Sequence, residues 1–405
     1  MKSKMQRDVN WKEILYLACL CTYIIISTLV GEGSILTYIP LVKWEHYIAF
    51  INMIKALLVL KMIFDIAEEP RMIFLIAITE TIGFMVYRHN PTDVFLSMAL
   101  WFLCAGKNVR ARKITECLFG SHLVSFIILE SLCAAGIVPL GKTIKSGHLV
   151  ASYSLGFSHP NTAASKILQL VLLFWLLRKG RLRLVHYLGI IITMVFVKTV
   201  TDCSTVVLLL GLLLICTVLY NKRGVTQFLY RKITVVRNLF LAGYLGVLGI
   251  TTVFVCICKD GDIFKKLFGT FGARIAEAVK YYQYYGFSLW GQPLMYYKSD
   301  PKEAEKAGLY TLDNGYMYLL LGFGIVLFLY FIFLHAGTLW WMFERKRLDY
   351  VIVYGIFFIY GFLETLVIRT GMNFTLFYLF GFIWEYYDRR KQVENSRSRR
   401  LWQKN

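Results

Sequence analysis

The sequence predicts an all-α, polytopic integral membrane bundle of about twelve transmembrane helices with one large extracytoplasmic loop. Three observations predict it. The chain of 405 residues is 57% hydrophobic and only 17% charged. Its apolar residues come in blocks of roughly 17 to 24, long enough to cross a hydrocarbon core about 30 Å thick, rather than in the periods of soluble helices or strands. Its basic residues collect in the short segments between those blocks.

The blocks run over 14–31, 46–65, 71–88, 92–106, 114–138, 162–178, 184–199, 204–220, 238–257, 315–336, 349–368 and 372–388. The fourth is short, and the second carries Lys55 and Lys61. The first follows MKSKMQRDVNWK with no small-residue cleavage site behind it, so it is expected to be a retained helix and not a signal peptide. The whole chain, 1–405, is expected to form a single membrane domain, with 258–312 as the large loop and 389–405 as a basic tail at the membrane surface.

Charge sets the orientation. With the N-terminus inside, the inner segments hold 28 Lys+Arg and the outer ones 14, of which 8 lie in 258–312. Short inner loops such as RKGRLR (178–183) and ERKR (344–347) govern topology. Both termini are therefore expected in the cytoplasm, which requires an even number of spans. The formal net charge of +20 then reflects topology, and nucleic acid is not expected as a partner. The nine cysteines include no CxxC pair and fall mostly inside apolar blocks, as packing residues do.

Charges inside lipid are costly, so their depth is informative. Glu130, Lys166 and Glu364 lie toward outer ends of blocks, and Glu80 lies mid-block. Snorkelling or helix-to-helix pairing accounts for Lys55 and Lys61. The outer set suits a polar cavity open to the outer face equally well. Turn and capping residues open several blocks at that face: SHPNT (158–162), TDCST (201–205), LDNGY (312–316) and RTGMN (369–373). Capping alone explains them, yet such helix starts also aim donors and a positive dipole end outward, as a phosphate site does. In the long loop, GARIAEAVKYYQYYG (272–286) reads as a short helix with Arg274, Ala278, Tyr281 and Tyr285 on one face. A guanidinium beside tyrosine rings suits an oxyanion next to a sugar, and equally an interfacial aromatic belt with a snorkelling arginine. The outer face has no His/carboxylate cluster, so neither a metal nor another cofactor is expected.

Taken in order, LGFSHPN (155–161), TDCST (201–205), FGARIAEAVKYYQYYGFSLWGQ (271–292), LDNGYMYLLLGFGIV (312–326) and GFLETLVIRTGMNFTLFYL (361–379) resemble motifs of the bacterial polysaccharide polymerase and O-antigen ligase superfamily, the Wzy-type capsule and exopolysaccharide polymerases above all. Two departures stand out. Cys203 and Ser204 occupy a place where an arginine is common, and Ala273 interrupts the usual Gly-Arg pair. The resemblance implies a multi-pass enzyme of the bacterial cytoplasmic membrane that joins polyprenyl-pyrophosphate-linked oligosaccharide units, as donor and acceptor, without a metal. Membrane lipid, a flippase and a chain-length regulator are the implied partners. It implies catalytic roles for His159, as general base, and Arg274, at the leaving pyrophosphate. Substrate contacts are implied for Asn161, Lys166, Asp202, Tyr281, Tyr285, Asp313 and Glu364. A ligase of the same superfamily and a flippase or other transporter are the alternatives. A transporter is expected to show charges through the full membrane depth and helices broken near mid-membrane.

Overall fold

The structure, a computed structural model, describes residues 10–91, 95–144, 151–258, 261–295, 301–379, 381 and 383. Residues 380, 382 and 384–388 of the last apolar block and the tail 389–405 lie outside the described residues. The chain forms a helical, multi-pass membrane bundle. Among the described residues nine helices are long and apolar enough to cross a membrane, and Leu348–Leu363 is a shorter apolar helix.

The helices are α1 (Trp11–Ile26), α2 (Ile35–Tyr38), α3 (Trp44–Glu68), α4 (Met72–His89), α5 (Phe95–Cys104), α6 (Ala111–Ala134), α7 (Pro160–Leu177), α8 (Leu184–Phe196), α9 (Ser204–Asn221), α10 (Arg223–Arg231), α11 (Ile233–Ile257), α12 (Asp262–Tyr285), α13 (Pro301–Lys306), α14 (Gly315–Glu344) and α15 (Leu348–Leu363). Most apolar runs became helices near their expected bounds, although α14 runs on to Glu344 past the expected 336 and α15 stops at Leu363 short of the expected 368. The fourth block is the ten-residue α5, and the described start of the twelfth is a 3₁₀ turn, Phe374–Tyr378. An antiparallel hairpin, β1 (Lys142–Ile144) with β2 (Ala151–Tyr153), departs from the purely helical expectation.

Burial is uneven and identifies the core. In α7 and α14 about 70% of the apolar window is covered by protein, whereas in α4, α8 and α11 it is 17%. The well-covered helices line the interior, where α7 packs on α6, α9 and α15, and α14 packs on α15, α11 and α4. The others turn apolar side chains such as Phe84, Ile192 and Ile250 outward, as lipid-facing helices do.

Four helices are irregular, α12 among them with a break at Gly269 (φ 55°, ψ −129°). α1 and α8 each end in a π-helical turn, Ser27–Glu32 and Val197–Thr201, and such turns free backbone groups from the regular ladder. α14 is broken at Gly324 (φ 86°, ψ 167°), and the segment 288–292 packs against the break. Ile325 N–H donates to Ser288 O (3.0 Å), Val326 N–H to Leu289 O (3.2 Å) and Gln292 N–H to Gly322 O (3.0 Å). Asn90 Nδ2 adds a bond to Gly322 O at 2.8 Å. Non-helical backbone survives at membrane depth only where protein satisfies it in this way. A Cβ on Gly291 would overlap Gly322 O and Phe323, and one on Gly324 would overlap Leu289, so the close approach requires both glycines.

The other end of the bundle carries a tight ionic group. Lys61 Nζ lies 2.6 Å from Asp65 and Lys12 Nζ 2.6 Å from Glu68, while Arg110 grips Glu13 with two bonds of 2.9 and 2.7 Å. Lys61 is fully buried, so it is a helix-pairing residue.

Candidate functional site

α7 starts where it does because His159 precedes Pro160. His159 is extended (φ −155°, ψ 147°), its Nδ1 accepts the N–H of Asn161 at 3.1 Å, and Pro160 occupies the first helical position. The segment before it is fixed to the end of the first span. Ser34 N–H donates to Gly156 O (2.9 Å), Ser158 N–H donates to Glu32 O (3.0 Å), and Gly33 bridges Phe157. The motif LGFSHPN is thereby held against Glu32–Ser34.

Three sequence-derived motifs meet at this helix start. Asn161 Nδ2 donates to Glu364 Oε1 at 3.2 Å. Glu364 ends α15, and the guanidinium of Arg274, from α12, stands 4.0 Å from the same oxygen. Arg274 Nε also donates to Leu363 O at 2.7 Å, capping a carbonyl at the C-terminus of α15. One turn further along α7, Ser165 Oγ donates to Asn161 O (2.6 Å) and bonds the Tyr360 hydroxyl. His159, Asn161 and Arg274 are each half-buried, and Glu364 is nearly fully buried. The result is a partly accessible group of an imidazole, an amide, a carboxylate and a guanidinium.

The capping bond has a chemical consequence. With Nδ1 accepting from Asn161, a neutral imidazole carries its proton on Nε2 and is a donor to whatever approaches. For His159 to accept a proton, the capping bond must open. Glu364 is the carboxylate already facing the cluster.

Lys166, one and a half turns below, belongs to a separate assembly. Its Nζ lies 2.6 Å from Glu32 Oε2, 2.9 Å from Thr28 Oγ1 and 2.6 Å from Gly371 O, with His122 Nδ1 at 3.4 Å. An ammonium has three protons, and these three oxygens use them. Glu32, Thr28, His122 and Lys166 are all buried. A Cβ on Gly371 would displace the Glu32 carboxylate and the Ser27 hydroxyl. Glu32 is the residue the sequence reading did not single out. As the last residue of the first span it looks like an outer-loop acid, and only the π turn brings it inward.

The remaining expected residues are spread around these two groups. Asp202, in a left-handed conformation (φ 47°), pairs with Lys198 at 2.6 Å, and Lys198 also reaches Ser204 Oγ at 3.0 Å. Lys198 thus sets a cation on a motif whose sequence lacks one. Tyr281 is buried and Tyr285 half-buried. Their rings stack at 6.2 Å and their hydroxyls clasp Met295, Tyr281 donating to its carbonyl (3.0 Å) and Tyr285 accepting its N–H (2.8 Å). Burial pushes both phenols above their ordinary range, with the charges of Glu277 and Asp313 adding to the shift of Tyr281. Asp313 is half-buried beside the start of α14, where the neighbouring Asn314 accepts Met317 N–H at 3.1 Å as the cap. Asn373 caps the 3₁₀ turn through Thr375 N–H at 3.0 Å. Three of the four turn motifs are thus helix caps as well as candidate ligand positions. Among the described residues no group of three or more His, Cys, Asp or Glu side chains is placed to hold a metal ion.

No family model matches the chain, and no characterised protein or solved structure matches it either.

Proposed function

We propose that this chain is a metal-independent glycosyltransferase that polymerises polyprenyl-pyrophosphate-linked oligosaccharide units at the outer face of a bacterial cytoplasmic membrane, with twelve spans and both termini inside. The motif resemblance supplies the substrate class. The observation that carries the reading is the meeting of Asn161, Arg274 and Glu364, from three segments far apart in sequence, next to the His159 cap of α7. A hydroxyl of the acceptor sugar attacks the anomeric carbon of the donor, the bond from that carbon to the pyrophosphate oxygen breaks, and the hydroxyl proton goes to Glu364. Arg274 and the Nε2–H of His159 meet the developing charge on the pyrophosphate, in a site where preset donors act strongly. Lys198 beside Asp202 and Ser204 offers a second cation.

A transporter is the second reading, favoured by one feature: α14 is broken at Gly324 and an extended segment docks into the break, as in the discontinuous helices of carriers. A ligase differs from the polymerase only in its acceptor. The experiment is to analyse surface glycan and lipid-linked intermediates in a strain lacking the gene, complemented with wild-type protein or Arg274→Ala. The polymerase reading expects single repeat units outside, loss of long chains, and no rescue by Arg274→Ala at normal protein level. Intermediates trapped on the cytoplasmic side would replace it with the transporter, and full-length chains left on the lipid carrier would replace it with the ligase.

A further inference from the structure

At the end of the bundle remote from His159, helices α9, α10, α11, α14 and α15 line an open apolar cleft of about 630 Å³, well within the roughly 300–1,000 Å³ of small-molecule sites. Val225 and Leu229 of α10 close one side of it, and Gly243 of α11 and Gly355 of α15 widen its middle. We propose that this cleft binds an acyl chain of one anionic phospholipid, with the lipid phosphate held by Lys222 and Lys232 at the two ends of α10.

The apolar half of the argument is the wall, built almost wholly of aliphatic and aromatic side chains, of which Leu219 and Ile359 are themselves exposed at its open side. The anionic half is the rim. Residues 222–237 include five Lys+Arg and no acid. α10 is amphipathic, with Val225 and Leu229 on the cleft side and Arg223, Gln227 and Arg231 on the opposite side. Lys222 and Lys232 are exposed where the helix begins and ends. The acids at this end of α14 and α15 are already engaged, Glu344 with Arg237 and Asp349 with Arg347. Topology alone explains basic residues here, but it does not explain an apolar cleft opening between them.

The test uses the full chain in detergent, titrated with dioleoyl phosphatidylglycerol or dioleoyl phosphatidylcholine and followed by native mass spectrometry and thermal unfolding. At about 1 kcal/mol per lysine near a lipid phosphate, two lysines give the phosphatidylglycerol a preference of roughly thirty-fold. Lys222→Gln with Lys232→Gln should bring the two lipids near parity, and both positions are exposed, so folding is spared. Gly243→Phe should weaken both lipids alike. Space around the Gly243 Cβ position is open, and loss of a mid-helix glycine does not disfavour the helix. Equal binding of the two lipids by wild type overturns the proposal. So does undiminished lipid binding by a Gly243→Phe protein that unfolds as wild type does, or a dimer in which a second copy covers the cleft.

Discussion

The first two turns of α7 carry two polar assemblies that differ in kind. At the helix start, His159 and Asn161 share half-buried ground with Arg274 and Glu364. Below it, Lys166 has spent all three of its protons on Glu32, Thr28 and Gly371 in a fully buried setting. The difference separates a group built to receive something from one built to hold three segments together. A buried cation whose valences are filled ties α7 to the end of the first span and to the turn after α15. Those are the same elements that position the upper group.

The largest effect is therefore expected from Lys166→Met. Removing one partner leaves the Glu32 carboxylate buried without its cation, which costs about 3–5 kcal/mol, and purified protein should unfold at markedly lower temperature. Adding Glu32→Met removes the stranded charge and should restore most of that loss, because replacing both partners with apolar groups is often close to neutral. The double variant also sharpens the comparison. Recovery of both stability and glycan length fixes Lys166 as a tie. Recovery of stability without chain length would return Lys166 to the substrate, as the sequence reading had it.

A smaller effect is expected where the long loop is clasped. Tyr281→Phe deletes one neutral hydrogen bond to Met295 and should lower stability by about 0.5–1.5 kcal/mol. Both phenols are raised by burial. A raised pKa means the folded state holds the proton more tightly, so this contribution is complete below the ordinary tyrosine value of about 10 and fades as pH rises above it. Thermal unfolding of Tyr281→Phe and wild type should differ by a constant amount from pH 6 to 9 and converge at higher pH. A difference already vanishing near pH 7 would show that the tyrosine pair faces solvent or ligand instead.

Why the sequence disclosed the helices but not their breaks follows from what apolar patterning measures. An unbroken run such as 315–336 reports that the segment lies in lipid or core, and α14 indeed begins at Gly315. It says nothing of continuity, because Gly322 and Gly324 look like any glycines in a membrane helix until another segment is seen to need the space. The packing of 288–292 against the break is a long-range pairing with no local signature. The same holds for Glu32, whose position at a span end reads as solvent-facing, and for His122, which looks like an isolated mid-span residue until Lys166 is placed beside it. Legible residues were those with local mechanisms: the Pro160 helix start, the Asn314 and Asn373 caps, and the loop helix bearing Arg274. The pairing of β1 with β2 has no sequence signal because three-residue strands are too short to show alternation.

The smallest change in stability should come from His159→Asn, and it is the sharpest test of the upper group. Asparagine ranks with the best N-cap residues, so its side-chain oxygen can take over the bond from Asn161 N–H and the helix start should survive within a few tenths of a kcal/mol. His159→Ala removes the cap and should cost about 1 kcal/mol. The two variants separate the imidazole's structural work from its chemistry. If His159 supplies a donor or takes a proton during transfer, both variants lose long glycan chains although only alanine lowers the unfolding temperature. If His159 is only a cap, the asparagine variant makes chains of wild-type length, and the candidate site contracts to Asn161, Arg274 and Glu364.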